Sequence, residues 1–140
     1  MSAPDPNYLK TLLLYYEEEI EGEAYFAELA CAFDHPDHKR KLELLADVER
    51  HAAKVVAPLI AHYDLIPRPA VDLMASGQES ARATDANWDA LLAEMTKTYP
   101  GYVDDFRALE RMGPKRDQLL LSFLTEHEIA ALAFLSLEAE

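Results

Sequence analysis

"EIEGEAYFAELA", residues 19–30, lies in a segment whose apolar residues recur every three or four positions, as along one face of an α-helix. The recurring positions are Leu9, Leu12, Leu13, Tyr16, Ile20, Phe26, Ala27 and Ala30. They predict a helix from about Asn7 to Phe33. Gly22 interrupts this helix although glycine destabilises a helix interior, and a close contact with a second helix is one explanation for its presence.

The same periodicity predicts helices along most of the remaining chain, and no alternating strand pattern is visible. We expect Pro58 to kink or shorten the second helix and Pro100 to split the third. Between these two helices lies a long connection, residues 64–78, with a short helical piece at Ala70–Ala75. The further helices are expected at about Asp37–Tyr63, Thr84–Thr98, Gly101–Met112 and from Pro114 almost to the C-terminus. This order predicts an all-α single domain, residues 1–140, folded as a four-helix bundle whose connection between helices 2 and 3 crosses the bundle.

Composition excludes several classes of partner and site. The chain carries 26 acidic and 13 basic residues, a formal net charge of -13, whereas nucleic acids and anionic membranes bind clustered Lys and Arg. The single cysteine, Cys31, excludes an internal disulfide framework and a cysteine-rich metal site. The first ten residues lack the pattern of a secretory signal, and we expect no apolar run long enough to span a bilayer. A cytoplasmic protein that binds metal cations, with neither nucleic acid nor membrane as a partner, is the expectation.

Five glutamates fall within residues 17–23, and helical geometry separates them into two groups. At roughly 100° per residue, Glu19 and Glu23 lie on the apolar stripe of the first helix. The other acids of this region are expected to face water: Glu17, Glu18, Glu21 and Glu28. A buried carboxylate must be paired, hydrogen-bonded, protonated or bound to a metal. Glu19 and Glu23 therefore need a physical explanation.

Inward polar residues are also predicted on two further helices. On the second helix Glu49 lies on the inward half, while His51 lies at the flank, toward a neighbouring helix or solvent. On the last helix His127 falls inside the predicted apolar face and Glu128 outside it. Inward carboxylates from several helices together with a histidine are the usual ligands of iron or manganese. The candidate metal ligands are Glu19, Glu23, Glu49, His51 and His127.

Two stretches resemble the first helix pair of the rubrerythrin branch of the ferritin-like superfamily. "EIEGEAYFAELA" is similar to the family's Gly-Glu pair and following aromatic and small residues, and "LADVERHAAKVV", residues 45–56, is similar to its Glu-x-x-His followed by alanine. The similarity covers residues 8–63 well and 114–138 loosely. It implies an antiparallel four-helix bundle with a long crossover between helices 2 and 3, a two-metal site, and Glu23 as the ligand from the first helix.

The histidine motifs of that family are not intact in this chain. Val48, not glutamate, stands three residues before His51, and Leu124 stands three residues before His127. Three arrangements stay open: a site built from other positions, a site for one metal ion, or no metal at all.

Three functions follow from these arrangements. The first is a ferritin-like metalloprotein that works as an oxidase, oxygenase or peroxide-reducing enzyme, with iron, as one ion or a pair, as the favoured metal and manganese as the other choice. The second is an iron-binding protein without turnover. The third is a metal-free helical bundle that acts as an interaction module, with its inward acids held in salt bridges. A homo-oligomer, most simply a dimer, is expected in each case.

Overall fold

A computed structural model describes residues 4–138, and within that range the chain is all-helical with no strand. The helices are α1 Pro6–Ala32, α2 Pro36–His62, α3 Ala70–Arg82, α4 Trp88–Met112 and α5 Gln118–Glu138, with one 3-10 turn at Lys115–Asp117. The predicted all-α fold class is confirmed. Three helix starts are capped by side chains that precede them, since Asp5, His35 and Asn87 each accept a hydrogen bond from a backbone N–H of the first turn.

The internal prolines do not end or split the helices that contain them, and a kink at Pro58 stays a prediction. Pro58 neither ends nor shortens α2, and Pro100 lies inside a continuous α4. Both prolines are exposed, so water can bond the carbonyl group that each proline leaves without its usual helical partner. The predicted helical piece at 70–75 is also too short, because α3 continues to Arg82.

The packing order of the helices follows from their contacts. α1 packs along both α2 and α3, α4 packs against α5, and α5 also contacts α2. At one end, Tyr8 and Tyr63 both donate hydrogen bonds to the buried Asp117, at 2.8 and 2.6 Å. At another point Lys41, near the start of α2, pairs with Glu138 at the end of α5. The first set of contacts joins the start of α1, the end of α2 and the 3-10 turn before α5, and the second joins the start of α2 to the end of α5.

The apolar core consists of two clusters. One contains Phe26, Leu29, Leu42, Leu45, Leu91 and Leu135, and the other contains Tyr8, Leu12, Val56, Phe106, Leu109 and Leu121. On α1, α2 and α5, the residues between the two clusters include buried glutamates. The interior therefore changes from apolar to acidic and back again along the helices.

One helical segment, Lys115–Glu138, is long and apolar enough by length and composition to cross a membrane, and a third of its apolar window is buried. The expectation that no run reaches spanning length is therefore wrong by this measure. Core helices of soluble proteins have the same length and composition, so the cytoplasmic location stays a prediction.

Candidate metal centre

Three glutamates from three helices meet between the two apolar clusters. They are Glu19 of α1, Glu49 of α2 and Glu128 of α5, and one carboxylate oxygen of each lies within 4.8 Å of the other two. Their exposed fractions are only 3%, 9% and 3%. Three carboxylates this close and this buried repel one another strongly when all are ionised. We call this cluster the acidic triad.

Within residues 4–138, no lysine or arginine forms an ion pair with the acidic triad, although the charge of His127 is near enough to lower the pKa of Glu49. The ion pairs formed by arginine and lysine there involve other acids, and no Lys, Arg or His lines the adjoining cavity. The Oε2 atom of Glu19 is buried and has no hydrogen-bond partner in this part of the chain. A buried anionic oxygen without a partner is costly, so the triad needs either bound protons or a cation.

Burial raises the pKa of each carboxyl group in the triad, and the negative charges of neighbouring glutamates add to this rise. Burial, and then the negative charges of Glu49 and Glu128, hold the pKa of Glu19 well above its usual value. Burial, followed by the charge of Glu49, raises the pKa of Glu128 to about 8. Burial also raises the pKa of Glu49, although hydrogen bonds from neighbouring side chains oppose this shift. Without a cation, the triad therefore retains protons at neutral pH.

Gly22 and Tyr99 position the Glu49 side chain. A Cβ atom at Gly22 would lie 3.1 Å from Cδ and 3.3 Å from Oε1 of Glu49, so the glycine leaves the space that this carboxylate occupies. The contact between helices that the sequence suggested at Gly22 is therefore present. The buried Tyr99 hydroxyl donates a long hydrogen bond of 3.5 Å to Oε1 of Glu49, and burial followed by the charge of Glu49 holds the pKa of Tyr99 well above its usual value.

A cavity of about 520 Å³ adjoins the triad. Its inner part is formed by buried residues, including the triad, Met95 and Tyr99, and its outer part by the exposed residues Glu18, Asp85, Glu94 and Tyr102. This volume lies within the range of roughly 300–1,000 Å³ found for small-molecule sites. The triad can therefore be reached from solvent by a small molecule.

The structure brings together two of the five candidate ligands, Glu19 and Glu49. Glu23 is half-buried rather than largely buried, and it is not in the triad. His51 is exposed, on the solvent side of the flank where the sequence placed it. His127 is half-buried, and its Nδ1 atom lies 2.6 Å from the Phe123 carbonyl oxygen. Glu23 and His127 are therefore outside the triad, although the charges of both act on the pKa of Glu49.

Glu128 was placed outside the apolar face, and this is wrong, since it is a member of the triad. Its helix carries apolar residues around its whole circumference, so the inward direction could not be fixed from periodicity. The buried residues Leu121, Leu124, Ala131 and Leu135 show that the inward face is the one that contains Glu128. A pairing signal did exist in the sequence, because Glu49 and Glu128 are each followed three positions later by alanine.

Two acids that were expected to face water, Glu17 and Glu21, are instead covered by residues of α3 and of the connection that precedes it. Glu17 is buried, because the backbone N–H and Nε of Arg68 donate to its two oxygens at 2.7 and 3.2 Å. Glu21 is half-buried, accepting from Arg68 and from the hydroxyl of Ser76. Glu18 is exposed as predicted. The long connection thus supplies the partners of these outer acids.

Comparison with known proteins gives no further guide to the site, because no protein family, curated protein or solved structure matches this chain. The donor set must be judged from its own chemistry. Where the family that the sequence resembles has histidine three residues after glutamate, this chain has the buried residues Ala52 and Ala131. The triad therefore offers only oxygen ligands, which suit hard cations. It lacks the imidazole ligands that the resemblance would imply.

Proposed function

We propose that this protein is a ferritin-like metalloprotein whose acidic triad binds a hard divalent cation, manganese in the first place and iron in the second. The observation that carries this proposal is the buried triad itself, in which one carboxylate oxygen accepts no hydrogen bond from another side chain and with which no lysine or arginine forms an ion pair among the described residues. A divalent cation would neutralise the repulsion between the acids and fill the unused bonding capacity of Glu19.

The course of the chain supports the ferritin-like part of the proposal. The end of α2 lies beside the start of α1, since Tyr63 and Tyr8 bond the same carboxylate. The start of α4 lies beside the end of α1, where the rings of Trp88 and Phe33 are 5.9 Å apart. The segment between α2 and α4 therefore travels along α1, against which Gly77 of α3 packs. A bundle with a long crossover between its second and third long helices has this path.

The choice of ion follows from the ligand atoms. Carboxylate oxygens suit manganese, magnesium and calcium, whereas zinc and copper sites normally include imidazole or thiolate ligands. Iron, which the resemblance implies, is the second choice because the triad lacks imidazole. A bound manganese or iron ion would supply Lewis-acid and redox chemistry at the inner end of the cavity.

Calorimetric titration of chelator-treated protein tests the proposal. We expect Mn²⁺ to bind with about one equivalent per chain. We expect Glu19→Gln and Glu128→Gln each to weaken Mn²⁺ binding by roughly 100-fold or more, since even outer-sphere changes cost about 10- to 100-fold. Glu126→Gln, at an exposed position of the same helix, is the matched control and should bind as the parent does. Glu23→Gln separates the triad from the arrangement expected from sequence. If it weakens binding as much as Glu19→Gln, the triad is not the site.

The metal-free interaction module is the alternative function, and its inward acids were expected to form salt bridges. Such pairs exist for Glu17 and Glu21, which bond Arg68, but the triad has none among the described residues. This difference favours the metalloprotein. If a metal binds, turnover with dioxygen or peroxide distinguishes an enzyme from a storage protein. The expected homodimer stays a prediction that light scattering can test.

A further inference from the structure

We propose that the cavity beside the acidic triad binds a small organic cation, of the class of aromatic or alkyl ammonium compounds, because its walls combine tyrosines with carboxylates and contain no basic side chain. The inference concerns the same carboxylates as the proposed function but does not require a bound metal. The two proposals can therefore fail separately.

The charge of the cavity wall sets the sign of its ligand. Six of the lining side chains are carboxylates: Glu18, Glu19, Glu49, Asp85, Glu94 and Glu128. A cleft that is lined by charges of one sign and has low-dielectric walls focuses their electric field on a ligand inside it. A carboxylate or phosphate ligand would meet repulsion from the outer acids, while an ammonium group would be attracted by them and can replace the protons that the inner acids retain. One divalent metal ion would neutralise only part of this charge.

Aromatic side chains give the cavity a second feature that suits a cation. Three tyrosines line it, Tyr25, Tyr99 and Tyr102, and the rings of Tyr99 and Tyr102 meet edge to face with centroids 5.2 Å apart. Aromatic faces attract ammonium groups, and more strongly where water is excluded. The apolar remainder of the wall includes Phe26 and Met95, which suit the hydrocarbon part of such a ligand.

The Oε2 atom of Glu19 offers a bonding position that a positively charged group can fill. Glu19 lines the cavity, is 3% exposed, and its Oε2 has no hydrogen-bond partner among the described residues. A primary ammonium group carries three N–H donors, and one of them can bond this oxygen. Exposed surface acids do not present this combination, since water bonds them freely.

Three probes of similar size and different charge test the inference: 2-phenylethylamine, the neutral 2-phenylethanol and the anionic 3-phenylpropionate. Calorimetry on the chelator-treated full chain should show the amine binding at least about tenfold more tightly than the anion. Neutralising two outer acids, with Asp85→Asn and Glu94→Gln together, should weaken amine binding about three- to tenfold. Glu79→Gln, at an exposed position of α3 outside the cavity wall, should leave it unchanged.

The outcomes separate this inference from the proposed function. Equal affinity for the three probes, or preference for the anion, would overturn it. So would amine binding that the double variant and the control variant change equally, because the amine would then bind elsewhere. Amine preference in a protein that takes up no manganese or iron would support this inference and end the metalloprotein proposal. Metal uptake without amine preference would do the reverse. If the double variant does not fold, Glu94→Gln alone serves the same comparison.

Discussion

Glu128→Gln should stabilise the protein at alkaline pH when no metal is present. Burial and the charge of Glu49 raise the pKa of Glu128 from its ordinary value of 4.5 to about 8. Between these values the folded state holds a proton that the unfolded state releases, so stability is lost as the pH rises from about 4.5 to about 8. Glutamine has nearly the same shape and does not ionise, and therefore does not show this loss.

The size of the effect follows from the two pKa values of Glu128. Linkage gives a cost of about 1 kcal/mol at pH 5 and about 4 kcal/mol at pH 8, so the variant should gain roughly 3 kcal/mol over the parent across this interval. This gain of about 3 kcal/mol is an upper limit, because Glu128 shares its proton with Glu19 and Glu49 and the cost of ionisation is divided among the three groups. Urea unfolding followed by far-UV circular dichroism in the presence of chelator measures the difference. The matched control Glu126→Gln should stay within about 0.5 kcal/mol of the parent.

A variant less stable than the parent at pH 8 without metal would refute this reasoning. Glu128 would then be an ionised structural partner rather than a strained acid. At saturating manganese the parent should be more stable than the variant. The parent binds the ion and the variant binds it poorly, and a ligand stabilises the folded state that binds it.

Three further substitutions test the surroundings of the triad. Gly22→Ala places a methyl group 3.1 Å from the carboxylate carbon of Glu49, so we expect roughly tenfold weaker manganese binding by calorimetry, with little loss of stability because alanine favours the helix by about 1 kcal/mol. Gly77→Ala places a Cβ only 2.2 Å from a backbone oxygen of α1. It should cost about 2 kcal/mol or more in urea unfolding, because backbone cannot move aside as a side chain can. Asp117→Ala removes the acceptor of two tyrosine hydroxyls. It should cost about 2–4 kcal/mol by the same assay, and an unchanged midpoint would show that water replaces the carboxylate.

The sequence predicts α1 and α2 well because both have one apolar side. Leu12 and Ala30 fix the inward direction of α1, and Glu19 lies close to that direction and is buried. Glu49 is found by the same argument on α2. By the same angles Glu23 lies about as close to that direction, yet it is only half-buried, since helical angles alone do not show how far a neighbouring helix covers a side chain.

The last helix shows where periodicity fails. With apolar residues on every side, α5 offers no contrast from which to find its inward face, and the inward position was assigned to His127 instead of Glu128. The prediction that Glu17 faces water is wrong for another reason. Its partner, Arg68, is 51 residues away in a connection that was expected to be largely irregular, and contacts of this separation leave no local pattern in the sequence.

Metal content per chain tests the central claim most directly. Protein produced in medium containing both manganese and iron, purified without chelator and measured by elemental analysis, should hold about one equivalent of these two metals together, since three carboxylates supply the protein ligands for one hard cation. The Glu19→Gln protein, prepared in parallel, should hold almost none, and Glu126→Gln should match the parent. A parent that contains neither metal, and whose melting temperature does not change when manganese or iron is added, would contradict the account. The acidic triad would then be a protonated cluster within a metal-free bundle.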